Sequence, residues 1–260
     1  MPSDDAQASF DPQYFEKLFS IEDRHFWFRA RRRVIASMLK PIVADFPAGY
    51  RVLEIGCGGG NLLPMLQKVC VHGHVIGVDL YHDALKLARR RTDVPLVRAD
   101  IEQLPFVEPF EVIGLFDVIE HLPNDVAMLT RIRDMLRPGG RAVMTVPAYQ
   151  ALWSYFDRAA HHQRRYSPRS LRQSIVDAGL EVEFLSPFMT WLFPLMYASR
   201  RMRADRPDVD SHHDRAAEDL RIRPGINAIL RVALSWEPLW LGWRLPLPIG
   251  TSLIAVARRP

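Results

Sequence analysis

Between residues 51 and 146, short apolar runs of strand length alternate with amphipathic segments of helical length. Nothing else in the chain constrains the fold as strongly. Arg51–Gly56, His74–Asp79, Pro95–Asp100, Glu111–Phe116 and Arg141–Val146 read as strands, and Asn61–Val69, His82–Arg91 and Asp125–Leu136 as helices. Strands separated by helices pair in parallel, which places helices on both faces of the sheet. The alternation continues with a helix from Ser167 or Pro168 to Ala178, stopped by Gly179, and with strands over Glu181–Ser186 and Thr251–Arg258. The expected fold is therefore α/β, a doubly wound, mostly parallel sheet of seven strands. Residues 46–187 with 251–260 make up that domain. Residues 1–45 precede it as a loose tail to about residue 12 and a helical stretch over Tyr14–Pro41, and residues 188–250 interrupt it as an insertion before the last strand. A chain of 260 residues suffices for one such domain with an insertion but is short for two.

The residues at the strand ends carry the chemistry. The first strand ends in Glu54-Ile55-Gly56-Cys57-Gly58-Gly59-Gly60-Asn61 and opens a helix. Glycines there let the backbone turn sharply and let a ligand approach without a Cβ in the way. Dinucleotide-binding folds use a related turn, but theirs is Gly-x-Gly-x-x-Gly, whereas this one is Glu-x-Gly-x-Gly-x-Gly. Asp79 ends the second strand, where a carboxylate can accept both hydroxyls of a ribose. Asp100 ends the third, where it can accept from the exocyclic amine of adenine. Taken singly, each residue could be a turn or a helix cap. Together they mark the carboxyl edge at which open α/β sheets bind ligands.

In this order the residues resemble the class I S-adenosylmethionine-dependent methyltransferases, in particular the type 11 and type 23 groups with a Val-Leu-Glu-Ile-Gly-Cys-Gly-x-Gly first motif. The resemblance covers roughly residues 25 to 187 and resumes at the last strand. It implies a Rossmann-like sheet with an N-terminal helical lid, S-adenosylmethionine as cofactor and methyl transfer as the reaction. It assigns Glu54, Gly56 and Gly58 to the methionine and loop contacts, and Asp79 with Leu80 to the ribose. Asp100 and Ile101 fall to the adenine, and Leu115 and Phe116 to the methionine and sulfonium side. Asp117-Val118-Ile119-Glu120-His121-Leu122 and Pro138-Gly139-Gly140 match two further stretches. Glu111 stands where the family more often has Asp. Phe26, Trp27 and Phe28 read either as part of a lid that excludes water or as the core face of a packed helix.

The sulfonium donor is already activated, so the protein mainly aligns the nucleophile, with a base where the acceptor is a hydroxyl. Candidates follow the fifth strand. A branch of the family carries Asp…Gly-His-x-Arg-Arg-Tyr, and here Asp157 precedes His161-His162-Gln163-Arg164-Arg165-Tyr166, with His161 replacing the Gly. The resemblance implies His162 as base or acceptor-orienting group with Asp157 as its partner. Arg164 or Arg165 would hold an anionic part of the substrate, with Tyr166 and Trp153 beside it. The alternative is that Asp157, Arg165 and Tyr166 pin the loop to the sheet. His121 is either structural or catalytic. The nine histidines and two cysteines show no zinc-ligand spacing, so no metal is expected.

The insertion joins the apolar run Phe188–Tyr197 to Arg200, Arg201 and Arg203, then to an acidic stretch with Asp205, Asp208, Asp210 and Asp214. A second apolar region holds Leu230, Val232, Leu234, Trp236, Leu239, Trp240, Leu241 and Trp243. Trp and Leu beside Arg is the composition of a helix lying in a lipid interface, although Pro194 argues against one long helix. Three readings stand: a cap over an apolar acceptor pocket, a peripheral membrane contact, or a homodimer interface. The first two are compatible for a lipid-linked acceptor. With 34 basic and 30 acidic residues the charge tilts only weakly toward anionic partners. The arginines are scattered among acids, and no Asn-Pro-Pro-Tyr-like motif follows the fourth strand, which argues against nucleic acid. Cys57 and Cys70 form no disulfide framework, Met1–Phe10 lacks the order of a signal peptide, and no uncharged apolar run is long enough to span a bilayer. These features point to the cytoplasm, at the inner face of the membrane if the insertion meets lipid. The expected function is methyl transfer to a small-molecule or lipid-linked acceptor, at oxygen. The alternatives are a non-catalytic cofactor-binding regulatory subunit and an RNA methyltransferase.

Overall fold

The computed structural model describes residues 12–203 and 222–260. Seven strands form one sheet: β1 (Arg51–Ile55), β2 (His74–Asp79), β3 (Leu96–Arg98), β4 (Phe110–Phe116), β5 (Leu136–Pro147), β6 (Glu181–Phe188) and β7 (Ser252–Arg258). Their order is β3-β2-β1-β4-β5-β7-β6. The first five pair in parallel, and β7 runs antiparallel between β5 and β6. Strand order reverses between β1 and β4, so the crevice for a ligand opens at their carboxyl ends.

The flanking helices are α1 (Pro12–Glu22), α2 (Phe26–Ala44), α3 (Leu63–Val69), α4 (His82–Arg89), α5 (Asp125–Met135), α6 (Tyr155–Ala159), α7 (Pro168–Asp177), α8 (Leu192–Arg203), α9 (Pro224–Ala233) and α10 (Glu237–Gly242). The helical stretch expected over Tyr14–Pro41 is made of two helices. The chain breaks at Asp23–His25, and the His25 ring caps α2 by accepting from the Trp27 N–H at 3.2 Å. Pro41 does not stop α2, because near the end of a helix its missing N–H costs only one bond. The loose tail lies outside the described residues except for Pro12, as do Asp205, Asp208, Asp210 and Asp214. Pro138-Gly139-Gly140 lies inside β5, as an irregularity against Phe110 and Val112, rather than ahead of it.

Alternation along β4 feeds two cores. Val112 and Phe116 pack on the α2 side with Val34, Ile35, Met38 and Leu39, and Ile113 and Leu115 on the other side with Leu129, Ile132, Leu171 and Ile175. The insertion joins the α2 core, to which it contributes Leu192, Leu234, Leu241 and Leu247. Fully buried Glu237 accepts from the Met189 and Thr190 N–H groups at 2.6 and 2.8 Å and so clips α10 to the end of β6. Asn227 of α9 accepts from the Phe26 N–H at 2.7 Å and donates to the Arg24 carbonyl, which holds α9 to the start of α2. Phe26 and Trp27 pack against this core, and buried Phe28 meets the His25 and Trp27 rings. The four insertion tryptophans are not buried over a pocket: Trp191, Trp236, Trp240 and Trp243 are 37–63% exposed.

Candidate active site

The glycine loop after β1 is fixed by Asp79. Its Oδ2 accepts from the Gly58 N–H at 2.7 Å and its Oδ1 from the Tyr81 N–H at 2.9 Å. Each oxygen keeps a lone pair for a further donor. Burial pushes the Asp79 carboxyl up, and the backbone N–H groups of Tyr81, Gly58 and Leu80 oppose it. Gly60, at φ +74°, lies so close to α4 that an added Cβ would sit 2.9 Å from Ala88. Gly58, at φ +52°, has no atom within 4 Å of where a Cβ would be, so its backbone faces open space. Beside that space, Glu54 is buried with Oε2 unpartnered, and neither side-chain atom of Asn61 has a partner. Burial raises the Glu54 pKa to about 8, with Arg31 opposing and Asp79 adding to the shift.

Asp100 caps the short turn Ile101–Gln103 by accepting from the Glu102 N–H at 2.9 Å, with Leu80 and Ile101 half-buried nearby. Leu115 and Phe116 are neighbours at the carboxyl end of one strand and face opposite cores. From the lid side, buried Arg31 reaches across to the end of β4. Its Nη2 donates to the Phe116 carbonyl at 2.6 Å and lies 2.7 Å from Asp117 Oδ2. Asp117 holds a left-handed backbone, φ 58°, at that strand end. Sequence reasoning missed Arg31 and Asn61 as site residues. Arg31 shares the helical phase of Phe28, Ile35 and Met38, which sets it apart from Arg29, Arg32 and Arg33. Asn61 carried no signal beyond ending the glycine loop.

Of the residues named after β5, His162 and Arg165 converge on Asp157, which is fully buried at the third position of α6 and completes a capping box with Ser154. His162 Nδ1 lies 2.9 Å from its Oδ1, and Arg165 Nε and Nη2 donate to its two oxygens at 2.7 and 3.0 Å. Burial alone would raise the Asp157 pKa, but His162 and Arg165 outweigh it and hold it down to about 2. Arg165 also donates to the Ala148 carbonyl and is 5% exposed, so it braces the loop and has no free edge for a substrate anion. Tyr166 is buried likewise, its hydroxyl donating to Asp125 at 2.8 Å. Arg164 bonds Asp125 and the Pro123 carbonyl but keeps 33% of its side chain exposed. Trp153 is half-buried. The His162 ring meets His121 edge to face at 4.8 Å, and burial, with His162 beside it, lowers the His121 pKa to about 4. His121 and His162 thus face each other across two separate loops.

The profile of a family described as a methyltransferase domain matches residues 27–184, more than half the chain. This chain belongs to the class I S-adenosylmethionine-dependent methyltransferases. The ubiquinone biosynthesis O-methyltransferase of Thiobacillus denitrificans is 27% identical over 159 residues, 54% of this methyltransferase and 68% of that protein. The phthiotriol/phenolphthiotriol dimycocerosates methyltransferase 1 of Mycobacterium ulcerans is 31% identical over 140 residues, 52% of this chain and 51% of that one. The match therefore spans between about half and two thirds of these relatives' lengths. Among solved structures, a chain from the Haloferax volcanii complex of the Trm112 methyltransferase activator with a methyltransferase superposes with a TM-score of 0.59 at 20% identity, covering 95% of each chain. At that identity the likeness is one of fold. The methyltransferase is an enzyme, and its cofactor is S-adenosylmethionine. The open space at Gly58, the unpartnered Glu54 and Asn61 atoms and the ribose-ready Asp79 fit that cofactor, a nucleoside carrying a cationic amino acid.

Proposed function

We propose that this methyltransferase methylates an oxygen of an apolar, lipid-linked acceptor while resting on a membrane surface. The supporting observation is the outer face of the insertion. Ile226, Ile229, Val232, Leu239, Trp240 and Trp243 stand exposed on α9 and α10 or just after them. Arg231 lies beside them, close enough to Arg29 to depress its pKa, along with Arg32 and Arg33, after the effect of burial. Exposed Trp, Leu and Ile next to a cluster of arginines suit the headgroup region of an anionic bilayer. No helix among the described residues is long and apolar enough to cross a membrane. On the same side α8 reaches the loop after β5, where Phe193 packs on Tyr149 at 5.5 Å. The names of the relatives, O-methylation in ubiquinone biosynthesis and a dimycocerosates methyltransferase, agree with this class of acceptor.

Bound S-adenosylmethionine supplies the electrophilic methyl group. Glu54 and Asn61 hold its amino-acid end, Asp79 its ribose and Asp100 its adenine. The Asp157 carboxylate keeps the His162 proton on Nδ1, which leaves Nε2 to take a proton from the acceptor or to orient it. Arg164 is the remaining cation for an anionic substituent. The test is flotation with vesicles of phosphatidylglycerol or phosphatidylcholine, alongside methyl transfer to extracted membrane lipids. Flotation with the anionic vesicles, lost in Trp240→Ser/Trp243→Ser, is expected. An enzyme that ignores both vesicles and methylates only water-soluble acceptors refutes the reading.

A further inference from the structure

Among the described residues, a buried cluster apart from the adenosyl edge keeps unmet bonding capacity. Glu120, in the turn Ile119–His121 after β4, is fully buried, and neither of its carboxylate oxygens has a partner. A carboxylate shut away from water without a donor or a cation is costly to maintain. Around it stand two imidazoles. One ligand atom from each of Glu120, His121 and His162 lies within 4.8 Å of the other two.

We propose that Glu120, His121 and His162 bind a divalent transition-metal ion of the zinc class. Two ring nitrogens and one carboxylate oxygen suit a borderline ion, and three protein ligands leave one tetrahedral position open. The surroundings are already those of a metal site. Asp157 Oδ1 sits 2.9 Å from His162 Nδ1, so a buried carboxylate holds that nitrogen's proton and presents Nε2 as the ligand. Asp157 is itself held by Arg165 and by the Ser154 N–H at 2.8 Å. His121 engages the backbone of Ala160 and His161. The two loops are tied together where the Gln163 N–H donates to the Glu120 carbonyl at 2.8 Å. Bonds of about 2.0–2.1 Å to a common ion bring tetrahedral ligand atoms to about 3.4 Å apart, so side-chain rotations moving them by about 1.4 Å complete the site.

The absence of a metal expected from linear spacing does not weigh against this, because His162 comes from a different loop some forty residues on and joins the pair only in the fold. The inference goes beyond the proposed acceptor and does not rest on it. Where the ion is bound, His162 Nε2 is a ligand and takes no proton from the acceptor.

The test titrates the chelator-treated full chain with Co²⁺, whose visible absorption reports tetrahedral coordination, and then displaces it with Zn²⁺. Calorimetry with S-adenosylhomocysteine on the same samples reports an intact fold and cofactor site independently. One equivalent of Co²⁺ is expected to bind, and His121→Ala and His162→Ala are each expected to weaken it at least about 10-fold without loss of S-adenosylhomocysteine binding. If either alanine variant unfolds, Glu120→Gln, which keeps the side-chain size, carries the same expectation. Protein that binds S-adenosylhomocysteine but takes up neither ion overturns the proposal. So does Co²⁺ affinity unchanged by all of these substitutions, which would place the ion elsewhere.

Discussion

Replacing Arg165 separates a brace from a substrate grip. Its guanidinium and the Asp157 carboxylate form a two-pronged pair at 2.7 and 3.0 Å, with Arg165 5% exposed and Asp157 fully buried. Asp157→Ala leaves a buried cation without a partner, which costs about 3–5 kcal/mol. Arg165→Met leaves Asp157 still bound by His162 and Ser154, so it loses about 2 kcal/mol, the value of charged hydrogen bonds. In the double variant neither charge is stranded, and the total falls short of the sum by about 2 kcal/mol. Urea denaturation of the four proteins, followed by tryptophan fluorescence at a common slope, measures that coupling. Additivity within about 0.5 kcal/mol would refute the bracing argument. A variant Arg165→Met of unaltered stability but with a raised KM for the acceptor would do the same and return Arg165 to the substrate.

Two further outcomes follow from the same geometry. Asp79→Ala removes both a ribose acceptor and the clamp on Gly58, so S-adenosylhomocysteine affinity measured by calorimetry should fall by about 100-fold or more, with two charged hydrogen bonds of about 1.5–3 kcal/mol each at stake. His25 is buried, and burial holds its pKa near 4 against an ordinary 6.5, so the fold keeps it neutral while the unfolded chain protonates it. Its contribution is fully present above pH 6.5 and is lost toward pH 4, by at most about 1.4 kcal/mol per pH unit. His25→Asn keeps a capping side chain and should make the stability profile shallower across that window, while buried His121 keeps a slope of the same sign. An unchanged slope would show that His25 is solvated.

The strands were legible because burial on both faces writes continuous apolar runs, and the glycine loop, Asp79 and Asp100 were legible because one strand end follows another in order. Residues brought together by crossing helices and loops were not. His25 ends one helix and caps the next, yet a helical pattern runs through it, since periodicity records the buried face and not the break. Sequence spacing leaves Arg165 open as a substrate cation or as a partner of Asp157 eight residues away, and both Asp157 oxygens turn to it. The insertion tryptophans read equally as core or surface, because composition does not say which side of a helix already has a neighbour. Glu120, His121 and His162 escaped for the same reason: two come from a tight turn, the third from beyond β5.

The helix α2 is a wall shared by two rooms. On one side Arg31 leans on the tip of β4, and on the other Leu241 of α10 and Asn227 of α9 are fastened to it. Two helix layers, α10 and α2, or ~20 Å, therefore separate whatever grips the outer tryptophans from the Arg31 contact. Loosening a single buried leucine of α2 would then be felt both at the tip of β4 and in the outer helices fastened to it.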